Sequence, residues 1–152
     1  CALPICDKIR FFDDANINVA VAAGDNKLVT PVIPHADKSD ILTVNDKIAE
    51  LAQRAKDGQL TLKDYAGGTF TVTNSGVFGS VFFTPIINYP QAAILGMGKT
   101  VDTPVVRNGE IVIAPVMKLC LSYDHRLIDG ATAVKFLVKV KEGLEDPSTL
   151  LR

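Results

Sequence analysis

Apolar and polar residues change period several times along the chain, and each change predicts a new element. Asn16-Ile17-Asn18-Val19-Ala20-Val21 alternates in polarity, and Leu28-Val29-Thr30 resumes after Gly24-Asp25-Asn26. A period of two on both sides of a turn signal predicts two strands in a hairpin-like excursion. From Ser39 to Lys56 the period lengthens, with Ile41, Val44, Ile48, Leu51 and Ala55 at three- and four-residue steps. That spacing predicts an amphipathic packing helix, with Ser39 or Asp40 as its N-cap and Gly58 as its stop. Thr69-Phe70-Thr71-Val72-Thr73 is β-branched and aromatic, which predicts a strand running into the loop Asn74-Ser75-Gly76. Further strands are predicted at residues 92–97, 104–107 and 110–113, the last two joined by Asn108-Gly109, a two-residue hairpin signal. Residues 116–123 predict another strand, and Val134, Phe136, Leu137, Val140 and Leu144 mark a closing helix.

Composition narrows the class. A chain of 152 residues that is 47% hydrophobic and 22% charged can bury the core of one globular domain. The net charge of -1, without a Lys/Arg cluster, gives no footprint for nucleic acid or an anionic membrane. No apolar run approaches the roughly 18 residues of a spanning helix, and the head lacks a signal-peptide layout. The expectation is a soluble intracellular protein.

Cys1, Cys6 and Cys120 are too few and too scattered for a disulfide framework or a paired metal-ligand motif. Cys120 lies in an apolar run and reads as a buried, inert thiol. The chain opens without Met, and Cys1 to Cys6 fits no later pattern. Residues 1–14 are therefore set apart as a head of uncertain origin, and residues 15–152 are taken as the domain.

The chemistry concentrates in Asp124-His125-Arg126-Leu127-Ile128-Asp129-Gly130, between the last strand and the closing helix. A neutral imidazole accepts a proton near neutral pH, so His125 is the candidate general base, although a lone histidine is also a common surface residue. Asp129 is placed to cap the closing helix, and Arg126 is a possible partner for it. Thr73 alone reads as an ordinary strand-end threonine. His35, after Pro34 in a loop, reads as a surface residue. Asp37-Lys38 and Asp46-Lys47 need only solvated charges.

These residues carry a resemblance. Leu121-Ser122-Tyr123 followed by the heptad resembles the histidine motif of the dihydrolipoamide acyltransferases, the catalytic core components of 2-oxo acid dehydrogenase complexes. Residues 67–80, Gly67-Gly68 through Gly79-Ser80, resemble a second signature of that family, and residues 84–96, Thr84-Pro85 through Leu95-Gly96, a third. Leu28-Val29-Thr30-Pro31-Val32-Ile33 and Lys56-Asp57-Gly58-Gln59-Leu60 add two more segments in family order. Five motifs in register, spanning about Ala15 to Leu151, are far more specific than one.

The resemblance implies an α/β (α+β) fold like that of chloramphenicol acetyltransferase: a mixed β-sheet covered by helices, truncated at its N-terminus relative to a complete family domain. It implies homotrimers that build a larger core, with active sites between subunits, in a complex with decarboxylase and dihydrolipoamide dehydrogenase components. The implied reaction moves an acyl group between a dihydrolipoyl arm and coenzyme A. The lipoyl group would be carried by a domain absent from this chain, and the coenzyme A contact residues are not assigned. His125 would be the base, Thr73 the oxyanion donor and Asp129 the carboxylate organising the histidine turn; no metal is implied. The location would be the cytoplasm of a bacterium or a mitochondrial matrix.

Residues 73–80 and 122–126 look closest to the succinyl-transferring branch, whereas Asn88-Tyr89-Pro90-Gln91-Ala92-Ala93 also resembles acetyl- and branched-chain-transferring relatives. Two rivals are weighed. An O-acetyltransferase of the same fold typically has a second histidine before its base, where this chain has Asp124. A non-catalytic scaffolding relative would be expected to lose His125 and Thr73.

Overall fold

The computed structural model describes residues 2–5, 8–24 and 27–149. Cys1, Cys6, Asp25, Asn26 and Leu151, which enter the sequence reading, lie outside the described residues. Two short strands open the chain, β1 (Ala2–Ile5) and β2 (Lys8–Phe11), paired antiparallel. Then come β3 (Ile17–Val19), the antiparallel pair β4 (Val21–Ala22) and β5 (Leu28–Val29), and β6 (Val32–Ile33). The β4/β5 pair is the expected hairpin excursion, and Gly24 supplies the positive φ of 82° at its tip.

Helix α1 (Ile41–Lys56) begins where the polarity pattern changes. Asp40, not Ser39, is the N-cap: its carboxylate accepts from the Thr43 backbone N–H at 2.9 Å and from Thr43 Oγ1 at 2.7 Å. Leu51 and Ala55 are buried, while Ile41 and Leu42 at the helix start are exposed. Only the C-terminal part of the apolar stripe is therefore packed within this chain.

The next strands are β7 (Phe70–Asn74), β8 (Ala93–Met97), β9 (Val101–Arg107), β10 (Glu110–Val116) and β11 (Leu119–Tyr123), followed by helix α2 (Gly130–Glu145). Strands β9 and β10 form a separate hairpin, with Arg107 opposite Glu110. Asn108 and Gly109 have φ of 54° and 84°, the left-handed pair that a two-residue hairpin turn needs. The hairpin is longer than the sequence predicts and runs through Pro104 and Pro115. In a two-stranded ribbon a proline can turn its donorless nitrogen outward without breaking an internal ladder. Val116 belongs to β10 rather than to the final strand, and Met117-Lys118 separates the two.

The main sheet has five strands in the order β11-β8-β7-β3-β6. β3, β7 and β8 are mutually parallel, and the outer strands β6 and β11 run antiparallel to their neighbours. Strand β8 sits near the middle, and residues 91–96 are all buried. Mixed pairing with helices against the sheet is the expected α/β (α+β) architecture.

One feature of the core is polar. Asn18, Thr71 and Gln91 are 3%, 1% and 6% exposed. The polar position of the alternating strand at Asn18 thus faces inward, because a partner awaits it there. The Gln91 Nε2 group donates to Asn18 Oδ1 at 2.6 Å, and Thr71 Oγ1 donates to Gln91 Oε1 at 2.5 Å. Buried polar groups persist when they satisfy one another in this way.

Candidate active site

Thr73 is half-buried near the end of β7, where it pairs with Gly96 of β8. The chain then turns sharply. Asn74 Oδ1 accepts from the Gly76 N–H at 2.8 Å, and the Ser75 N–H donates to the Met97 carbonyl at 3.2 Å. The loop is held against the segment after β8, with the Lys99 N–H donating to the Ser80 carbonyl at 2.7 Å. Gly98 makes this approach possible, since a Cβ there would stand 2.2 Å from the Val81 carbonyl oxygen.

His125 leaves the sheet at its other end. β11 runs antiparallel to β8, with Tyr123 opposite Ala93 and the Asp124 N–H continuing the ladder to the Ala92 carbonyl at 2.8 Å. The Asp124 carbonyl then accepts from the Leu127 and Ile128 N–H groups, both at 3.0 Å, which closes a tight turn. His125 stands exposed on that turn, its ring 5.7 Å from the Tyr123 ring at an interplanar angle of 36°. The sequence reading gave Tyr123 no role, although residues two apart on an extended chain share a face.

Arg126 does not pair with Asp129 as expected. Its guanidinium grips Asp124, with Nε at 2.9 and 3.1 Å from the two carboxylate oxygens and an Nη nitrogen at 2.6 Å, and its backbone N–H donates to the same carboxylate at 2.9 Å. These bonds hold the Asp124 carboxyl well below the ordinary range, at about 2, with the Arg126 side chain as the leading cause. The correction has a local reason: Asp129 is already occupied. It caps α2, accepting from the Thr132 N–H at 2.8 Å and from Thr132 Oγ1 at 3.1 Å. Those two bonds lower its pKa first, and the charge of nearby His125 acts in the same direction. Asp129 therefore both caps α2 and lies within electrostatic reach of His125.

The structure brings His125, Asp129 and Tyr123 together and keeps Thr73 apart. Asp124 is level with Ala92 and Thr73 with Gly96, four residues along β8 and two strand steps across. Standard strand spacings make that separation about 16 Å. Cys120 is half-buried rather than fully enclosed. His35 is exposed, with Nδ1 3.1 Å from Asp14, and Lys38 pairs with the same carboxylate. A cavity of about 380 Å³ near the end of the sheet that carries His125 is lined by residues including Asn18, Tyr65, Asn88, Tyr89 and Gln91. Among the described residues there is no group of three His, Cys, Asp or Glu side chains that could hold a metal ion, and no helix is long and apolar enough to cross a membrane.

The sequence profile of the 2-oxoacid dehydrogenases acyltransferase (catalytic domain) family matches residues 5–152. The mitochondrial dihydrolipoyllysine-residue succinyltransferase component of the 2-oxoglutarate dehydrogenase complex of Saccharomyces cerevisiae is 50% identical over 145 residues, which cover 95% of this chain and 31% of that protein. The chain thus spans about a third of that curated relative's length. Among solved structures, the dihydrolipoamide acetyltransferase of Azotobacter vinelandii superposes with a TM-score of 0.93 at 31% identity, covering 99% of this chain and 63% of that one. A serine, a histidine and an asparagine of that enzyme have been investigated for their role in its catalytic mechanism. The cubic core of the pyruvate dehydrogenase multienzyme complex superposes with a TM-score of 0.90 at 33% identity, covering 96% of this chain and 60% of that one.

Proposed function

Because the chain belongs to the acyltransferase catalytic-domain family of the 2-oxoacid dehydrogenases, we propose that it transfers an acyl group, succinyl before acetyl or branched-chain, between protein-bound dihydrolipoamide and coenzyme A. The spacing of three residues carries this reading. Thr73 precedes His125 by 52 positions (125 − 73) and Asp129 follows it by four (129 − 125), the spacing of the serine, histidine and asparagine investigated in the Azotobacter enzyme. The succinyl preference rests on the 50% identity to the yeast succinyltransferase.

In this reading His125 removes the proton of the coenzyme A thiol as its sulfur bonds to the acyl-lipoyl carbonyl carbon. A thiol is a poor nucleophile until deprotonated, which is why a base is needed. Thr73 donates its hydroxyl to the oxyanion of the tetrahedral intermediate. His125 then returns the proton to the departing lipoyl sulfur as the old carbon–sulfur bond breaks. Asp129 acts indirectly, by starting α2 where the histidine turn ends.

The separation of Thr73 and His125 favours a site shared between protomers. Reacting groups must come within about 3–3.5 Å of each other, and the two side chains cannot span about 16 Å within one chain. A homotrimer that places Thr73 of one copy against His125 of the next resolves this. Such trimers would build a core serving decarboxylase and dihydrolipoamide dehydrogenase components, in a bacterial cytoplasm or a mitochondrial matrix. Residues 1–14, read from the sequence as a head, carry none of the residues of this assignment, although the family match begins at residue 5.

The test is acyl exchange from succinyl-, acetyl- and isobutyryl-coenzyme A to free dihydrolipoamide, catalysed by the full-length protein. Fastest turnover with the succinyl donor is the expected result. A folded oligomer without exchange would instead mark a scaffolding relative.

A further inference from the structure

We propose that Gln91 is a positioning residue for His125, acting through the buried polar chain that ties the start of β8 to the neighbouring strands. The inference rests on the reading of His125 as the base. Its starting point is a fixed direction of hydrogen bonding. Asn18 Nδ2 donates to the Thr30 carbonyl at 2.7 Å, and a carbonyl can only accept. Asn18 Oδ1 must therefore face Gln91, which donates from Nε2 at 2.6 Å and leaves its own Oε1 for the Thr71 hydroxyl at 2.5 Å. Thr71 Oγ1 in turn accepts from Asn88 Nδ2 at 3.2 Å. One backbone carbonyl thus sets the orientation of two carboxamides and a hydroxyl, and Gln91 is the link whose two ends bond in opposite senses.

Gln91 also stands where the histidine turn is pinned. The next residue, Ala92, offers the carbonyl that receives the Asp124 N–H, one bond before His125. On the far side of that bond the Arg126 guanidinium grips Asp124 at 2.6 Å. The Gln91 backbone N–H donates to the Asn88 carbonyl at 2.9 Å, which ties residues 88–91 to the buried chain. Between Gln91 and His125 stand a buried side chain, a ladder bond and the Asp124–Arg126 ion pair. The buried carboxamide therefore fixes the angle at which the imidazole leaves the sheet.

The decisive variant is Gln91→Met in the full-length protein, which keeps the side-chain length and removes both hydrogen bonds. Two readouts are needed. In acyl exchange, kcat should fall about 10- to 100-fold while KM stays within about threefold, the pattern of a misplaced reacting group. At fixed pH, the ring-proton NMR signals of His125 should shift from their wild-type positions. Thr71→Val provides the same test with a smaller change, and Leu51→Ala, a truncation of a buried α1 residue outside the polar chain, is the control for general loss of stability. His125 signals that coincide with wild type in folded Gln91→Met or Thr71→Val would overturn the proposal, as would equal shifts in Leu51→Ala. If neither variant folds, the chain is a folding determinant and the proposal falls. A wild-type protein without exchange activity would refute the acyl-transfer reading alone, because the NMR comparison does not need turnover.

Discussion

Thr73 and His125 leave the main sheet at opposite ends, because the strands that carry them run antiparallel to each other on either side of β8. Each lies beside chemistry of its own. Thr73 enters a loop held down by Gly98 and Met97, and His125 rides a turn closed by Asp124 and Asp129. In the proposed shared site the chain carries two half-sites, and the outcomes below depend on whether one half, both halves or the frame between them is altered.

His125→Ala should lower acyl exchange by about 100- to 10,000-fold, the usual contribution of a positioned base. The side chain is exposed, so the unfolding midpoint and the oligomeric state should stay at wild-type values. A folded variant with near-normal exchange would remove His125 from the mechanism.

Thr73→Ala should cost roughly 3–4 kcal/mol of transition-state stabilisation, while Thr73→Ser should keep most of the activity. A sharper test mixes chains. If each site takes its hydroxyl and imidazole from different protomers, co-refolding inactive Thr73→Ala with inactive His125→Ala should restore about a quarter of wild-type exchange, since random assembly reunites the intact halves at that frequency. No recovery from verified mixed oligomers would overturn the shared site.

Asp129→Ala should lower the unfolding midpoint and the activity together, because it removes both bonds to Thr132. Asp129→Asn should hold the midpoint, since asparagine caps a helix as well as aspartate does. A midpoint unchanged by the alanine variant would contradict the capping role.

Acid should expose the Asp124–Arg126 clamp. A carboxyl lowered to about 2 contributes stability above the ordinary carboxylate range, and that contribution is lost as pH falls from about 4 toward about 2. Thermal unfolding of wild type and Arg126→Gln should therefore diverge at neutral pH and converge near pH 2. Parallel curves over the whole range would show that the clamp adds nothing to folding.

Gly98→Ala should damage the Thr73 half-site without touching its chemistry. The new Cβ would meet backbone, the Val81 carbonyl, which cannot step aside as a flexible side chain would. A reduced unfolding midpoint and reduced exchange are expected, and a wild-type profile would mean that the Thr73 loop can shift freely.

Much of this architecture was legible in the residues because it is local. Asn108-Gly109 determines its own turn, Asp40 and Asp129 cap the helices they precede, and the three-and-four spacing of Ile41 to Ala55 marks a helix wherever it lands. The site residues were read from five motifs in register rather than from any single pattern. What the sequence did not disclose depends on distant partners. Asn18 looks like the wet side of an alternating strand until Gln91, 73 residues later, arrives to bond it. Arg126 has two carboxylates within a few residues, and only the prior engagement of Asp129 with Thr132 decides for Asp124. Residues 101–103 and 114–116, Pro115 among them, join the hairpin beyond the predicted strands because it stands apart from the main sheet.

Strand β8 is the ruler between the two half-sites: its N-terminal end receives the bond that sets the histidine turn, and its C-terminal end receives the one that sets the threonine loop. A one-residue slip would present the opposite face of the whole strand to its neighbours and displace both groups at once. In the proposed shared site, damage to β8 is therefore unlike damage to Thr73 or His125 alone: a chain injured there could lend a working half-site to no neighbour, so in a mixed assembly it would act as a poison rather than a passenger.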